Sequence, residues 1–124
     1  MKSGVRGFSL IEIMIVMVLI GLIIAGIAVA VFGQLTKGQK SVARTEAIGL
    51  GQKAMLYKAE RRKAPASWED LINNGDLQQA PVDPWGNEYM LICPGTHNPR
   101  SCDVISSGPD GLTDTEDDIG NWTD

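Results

Sequence analysis

From Phe8 to Phe32 the chain runs through 25 almost wholly apolar residues, and Glu12 is the one formal charge among them. As a helix such a run rises about 37 Å, enough to cross a hydrocarbon layer of roughly 30 Å with some tilt. A carboxylate inside hydrocarbon is costly and by default marks a functional position with a partner. The first expectation is therefore a single spanning helix carrying one polar group that needs a counter-charge. The seven residues before it, with Lys2 and Arg6, also resemble the start of a secretory signal. The apolar run is much longer than a signal core, so the helix is expected to be retained.

With 25 of 124 residues in that run, the rest can form one small domain near the lower end of independent stability. The net charge of −4 conceals a strong polarity: residues 1–63 hold ten of the eleven basic side chains, whereas residues 64–124 hold twelve of the fifteen acids. A surface so acidic repels phosphates, which disfavours a nucleic-acid partner. Lys2 and Arg6 before the helix are matched by Lys37, Lys40 and Arg44 after it, so the positive-inside rule does not set the orientation. Cys93 and Cys102 flank Pro94, Gly95 and Pro99, a spacing that suits a disulfide across a hairpin-like loop. As metal ligands they would need further Cys or His at ligand spacing, and His97 is the only histidine. The disulfide is the preferred reading and puts this part of the chain in an oxidising compartment.

Beyond Phe32 a helical pattern continues through Leu35, Val42, Ala43, Ala47, Leu50, Ala54, Met55 and Leu56, with charged and polar residues between. This predicts an amphipathic second half, residues 33–59, of one helix running from Phe8 to about Lys58. Gly21, Gly26, Gly33, Gly38, Gly49 and Gly51 weaken it, each by up to about 1 kcal/mol relative to alanine, and local bending or partial melting in the apolar half is expected. Residues 60–124 form the small domain. Ser67 with Asp70 three positions on opens a short helix through Trp68, Leu71 and Ile72, stopping near Asn74-Gly75. Asp83-Pro84-Trp85-Gly86-Asn87 reads as a turn in which Trp85 points inward and Asp83 bonds local amides. Glu88 to Cys93 and Asp103 to Ser106 read as two paired strands. The elements together make an α+β chain.

The tail crowds Asp110, Asp114, Glu116, Asp117 and Asp118 into nine residues. Such a loop is either fully solvated or folded around a hard cation. Calcium, which takes six to eight oxygens including backbone carbonyls, suits a glycine-bearing acidic loop better than magnesium does. Ile119 and Trp122 can pin the end of the loop to the core. The EF-hand template is not met, because Leu112, Thr115 and Asn121 stand where its third, sixth and twelfth residues would be. With one histidine and no nucleophile–base pair or phosphate loop, no catalytic residue is predicted.

Gly7-Phe8-Ser9-Leu10-Ile11-Glu12 and the helix behind it resemble the N-terminus of type IV pilin-like precursors. The resemblance implies cleavage between Gly7 and Phe8 by a membrane-embedded prepilin peptidase and N-methylation of Phe8. It makes Glu12 an assembly residue whose partner is the Phe8 ammonium of a neighbouring subunit, and it leaves residues 1–7, the leader, in the cytoplasm. Leu56-Tyr57-Lys58, Asp83 to Asn87 with Tyr89, Ser107-Gly108-Pro109-Asp110-Gly111 and Asp117 to Trp122 resemble the major pseudopilins of type II secretion. That likeness implies a pilin-like lollipop: a long N-terminal helix, its apolar half in the inner membrane, packed on a small antiparallel sheet in the periplasm. It also implies a calcium loop spanning 107–122. The carried-over ligands are the side chains of Asp110, Asp117 and Asp118 and backbone oxygens of Ser107 and Leu112, with Asp114 a further candidate. The partners implied are further copies in a helical filament, an inner-membrane assembly platform and minor pseudopilins. There are departures: no proline precedes Pro65, the segment between Tyr57 and Asp83 is short, and the cysteine pair is untypical of major pseudopilins. Because a C-terminal disulfide is common in true pilins, a surface type IV pilus subunit is the alternative.

Overall fold

The computed structural model describes residues 4–123, in which helix α1 (Leu10–Arg61) is followed by helix α2 (Trp68–Asn74) and strands β1 (Met90–Ile92), β2 (Asp103–Ser106) and β3 (Ile119–Gly120). The chain divides into two compact units, one up to Lys37 and one from Gly38 onward. In the first unit α1 stays helical through Gly21, Gly26 and Gly33, and its large apolar side chains from Leu10 to Phe32 are exposed. The helix is not melted at these positions; a tract otherwise rich in Ile, Leu, Met and Ala keeps its backbone ladder across isolated glycines.

The second unit is built on the amphipathic half of α1. Ala43, Ala47, Leu50, Gly51 and Ala54 recur at helical spacing and are buried. The buried stripe is narrower than the sequence pattern, since Val42, Met55 and Leu56 remain exposed. A domain this small covers only one side of the helix. Small residues on that side let the sheet approach closely. At Gly51 a Cβ would lie 2.6 Å from Asn121 Nδ2. Asn121 in turn bonds the stretch of chain at the start of β2 that β3 does not pair: its Oδ1 accepts from Val104 N at 3.2 Å and its Nδ2 donates to Cys102 O at 3.0 Å. Gly51→Ala is accordingly expected to push Asn121 off that stretch and destabilise the unit by about 1–3 kcal/mol, read as a lower urea midpoint with an unchanged slope.

The core cluster joins Ala47 and Leu50 of α1 to Trp68 and Leu71 of α2, Tyr89, and Val104 of β2. Tyr57 packs against this cluster. Ser67 sits at the N-cap of α2 in an extended conformation without a side-chain cap bond. Asp70 instead reaches back, its Oδ2 accepting from Ala66 N at 2.7 Å. Gly75 ends the helix in the left-handed region, φ 88°, with its N–H on Ile72 O.

The sheet is antiparallel in the order β1-β2-β3, with Met90↔Ile105, Leu91↔Val104 and Ile92↔Asp103 in one register and Ile105↔Gly120 and Ser106↔Ile119 in the other. Two corrections arise. The first strand is shorter than 88–93, because Glu88 pairs instead with Val82 across the Pro84 turn. And β3, two residues long, adds a strand where only a loop was expected. The disulfide Cys93–Cys102 is formed, closing the connection between β1 and β2 with its Cα atoms 4.5 Å apart.

Candidate functional site

Gly7 and Phe8 lie in an exposed, non-helical stretch ahead of α1. A peptide bond there is open to a protease without unwinding any helix. Ser9 is the residue before the first helical turn, and Ser9-Leu10-Ile11-Glu12 is a capping box. Ser9 N–H lies 3.5 Å from Glu12 Oε2 and Glu12 N–H lies 3.4 Å from Ser9 Oγ. Both bonds are long. The S-x-x-E signature of this cap is legible in the sequence itself. Glu12 thus faces a backbone amide at the start of its own helix while its side chain stays exposed.

The acidic loop leaves β2 at Ser107 and returns at β3. Its neck is closed, since Ser107 and Gly108 are buried and a Cβ at Gly108, which has φ 68°, would lie 2.3 Å from Asp117 O. Only glycine fits there. Within the loop the candidate ligands are satisfied separately. Asp110 Oδ1 accepts from Leu112 N at 3.0 Å. Asp118 accepts from Asp114 N at 2.8 Å and Thr115 Oγ1 at 3.3 Å. Asp117 Oδ1 faces Lys40 Nζ of α1 at 3.7 Å, and Asp114 is held at φ 64°. Among the described residues no three Asp, Glu, His or Cys side chains stand together as a metal cluster. The donor set, carboxylates and carbonyls on a closed neck, suits a hard cation in its chemistry. The Asp117 carboxylate already has a positive neighbour in the Lys40 ammonium.

The turn before β1 is locked by Asp83, which is 5% exposed. Its Oδ1 accepts from Trp85 N at 3.1 Å and Asn87 N at 2.8 Å, and its Oδ2 accepts from Ser106 Oγ at 2.7 Å. Ser106 Oγ also accepts from Gly108 N at 3.2 Å. The Asp83 carboxylate therefore joins the Pro84 turn to the first residues of the acidic loop. The amide bonds match expectation, but Trp85 is only half-buried. The Tyr89 hydroxyl lies 2.7 Å from Glu46 Oε2 and 3.2 Å from Ala43 O of α1. Burial, with the Glu46 carboxylate beside it, pushes this phenol well above its ordinary range, so it stays protonated as a donor.

The description "Type II secretion system (T2SS), protein G" belongs to a family model that matches residues 30–122, and the prokaryotic N-terminal methylation motif matches residues 2–32. The chain belongs to the type II secretion system protein G family. It is 34% identical to the type II secretion system core protein G of Dickeya chrysanthemi over 98% of this chain and 89% of that one. It is 35% identical to the core protein G of Escherichia coli K12 over 94% and 90%. A crystal structure of the major pseudopilin from the type 2 secretion system of enterohaemorrhagic Escherichia coli superposes with a TM-score of 0.63 at 28% identity, covering 73% of this chain and 87% of that one. The protein G assignment favours the secretion pseudopilin over the surface pilus subunit. The family is one of structural pseudopilins, and α1, with a mean hydropathy of 3.1 over an 18-residue window, is consistent with membrane anchoring.

Proposed function

We propose that this pseudopilin is inserted in the inner membrane with residues 1–7 in the cytoplasm, is cut after Gly7 by prepilin peptidase, and is methylated on Phe8. An assembly platform then draws it, with minor pseudopilins, into a periplasmic filament that pushes folded cargo through an outer-membrane channel. The observation that carries this reading is the apolar half of α1, none of whose side chains finds cover among the described residues. Lipid covers it before assembly, and equivalent helices cover it afterwards. Glu12 supplies the pairing charge: cleavage creates an ammonium on Phe8, and the carboxylate of a neighbouring copy meets it. N-terminal sequencing of the mature chain tests the first step. Phe8 as first residue supports the reading, and an intact Met1 overturns it.

The acidic loop is proposed as a calcium site. Bound there, the ion would neutralise the crowded carboxylates and tie the loop's oxygens together. The chain's own part is to keep the neck closed through Gly108, Ser106 and Asp83, and to yield Asp117 from Lys40. Calcium at about a hundredfold its dissociation constant adds about 2.7 kcal/mol to folding, a rise of roughly 10 °C or more in the melting of a unit this size. Magnesium is expected to add less, and Asp117→Asn to remove most of the calcium effect. A full-length chain in detergent that melts identically in calcium and in chelator overturns the calcium site.

A further inference from the structure

We propose that the Cys93–Cys102 ring is a redox latch that holds the C-terminal segment, acting through His97 on Trp122. The two cysteines close the β1–β2 connection at the point where Ile92 pairs with Asp103. Asp103, which is 1% exposed, turns its carboxylate back into the ring. Oδ2 accepts from His97 N at 2.8 Å and Oδ1 from Asn98 N at 3.0 Å, and His97 Nδ1 lies 3.3 Å from Oδ2. The fit is tight, because a Cβ at Gly95 would lie 2.3 Å from Asp103 Oδ1. Gly95 N also donates to Ser101 O at 2.9 Å. Held this way, the ring presents the imidazole flat against the Trp122 indole, centroids 3.8 Å apart and planes within 6°. The same indole lies against β3, where a Cβ at Gly120 would meet it at 2.5 Å.

Trp122 lies two residues past the end of β3, and β3 is only two residues long. So short a strand is a weak anchor for a loop carrying five carboxylates. Beyond the Asn121 bonds to Val104 and Cys102, the His97 stack supplies a further anchor at Trp122, and the disulfide keeps His97 at high effective concentration beside the indole. Opened, residues 94–101 regain loop freedom, and the few hydrogen bonds to Asp103 must hold them alone. Formation of the latch releases two protons from the thiols of Cys93 and Cys102 and passes two electrons to the disulfide of a thiol oxidant, which leaves as a dithiol. The exit of the acidic loop is thereby locked only after the chain has entered an oxidising compartment, with no metal ion required.

The experiment is amide hydrogen exchange on the full-length chain in detergent micelles, in chelator throughout. The reporters are Asn121 N, which donates to Val104 O at 3.1 Å, and Thr123 N, which donates to Gly120 O at 3.2 Å. Reduction with dithiothreitol is expected to lower their protection at least tenfold. His97→Ala with the ring still oxidised should give the same loss while the β1–β2 amides keep their protection, and His97→Phe, which retains an aromatic plate, should restore it. Wild-type protection of Asn121 and Thr123 in oxidised His97→Ala overturns the latch, whatever reduction does to the rest of the unit. Unchanged protection in the reduced chain overturns it as well.

Discussion

Glu12→Gln in the full-length chain is expected to leave membrane insertion and helix α1 intact while removing filament assembly. Glutamine keeps the side-chain oxygen that faces Ser9 N–H, so the helix start is preserved. What it loses is the charge. A Phe8 ammonium brought into an assembled helix bundle without a carboxylate is a buried, unpaired ion, and removing one partner of such a pair costs about 3–5 kcal/mol. That corresponds to roughly two to four orders of magnitude in the association constant of each contact. Glu12→Ala should assemble equally poorly and lose a further ~1 kcal/mol of capping. Counting filaments in cells that express each variant at matched membrane levels separates the two roles of the residue. Normal filaments from Glu12→Gln would mean that the carboxylate serves only its own helix.

Asp83→Ala is expected to be the most damaging single change in the second unit. The substitution strands Trp85 N, Asn87 N and the buried Ser106 hydroxyl at once. Buried groups left without partners cost about 1–3 kcal/mol each, and some of this is relieved by relaxation and water. A net loss of about 3 kcal/mol lowers the melting temperature of a unit of this size by roughly 10–20 °C. Asp83→Asn should lose about half as much. Its amide oxygen still accepts the two backbone N–H bonds, and its NH2 can donate to Ser106 Oγ if that hydroxyl turns. Near-ultraviolet circular dichroism of the full chain on heating reads both variants. An Asp83→Ala chain melting within two or three degrees of the parent would show that the turn and the loop neck hold without this carboxylate. The same variant should also weaken any calcium effect, because Ser106 and Gly108 close the neck of the acidic loop.

Much of the architecture was legible along the chain because it rests on local signals. The apolar run, the helical spacing of Ala43, Ala47, Leu50 and Ala54, the Asn74-Gly75 stop and the Pro84 turn each speak through neighbours a few residues away. Apolar periodicity overstated the buried face of α1, because Val42, Met55 and Leu56 carry the pattern but the sheet is too small to reach them. Strand β3 was invisible for a related reason: two residues have no period, and Ile119-Gly120 becomes a strand only because β2 lies beside it. The capping box at Ser9 and Glu12 is a local signal of the same kind.

The acidic loop shows where such reasoning stops. The crowding of five carboxylates announces an electrostatic problem, but not its solution. In the fold Asp110 and Asp118 take amides of their own loop and Asp117 takes Lys40, a residue 77 positions earlier in the chain. Composition cannot rank an internal lysine against a divalent ion, since the ranking depends on distances.

The sequence by itself determined that this chain carries a membrane-length helix with one carboxylate near its start, a cleavable-looking leader, an amphipathic continuation and an acidic tail. Run length, periodicity and charge are properties of a line. Only the tertiary structure decided that Asp83 ties the turn to the loop neck, that Gly51 makes room for Asn121, and that His97 within the disulfide ring lies on Trp122. Those contacts join segments 23 to 70 positions apart, and which distant groups meet is set by how the sheet and α1 enclose one small core.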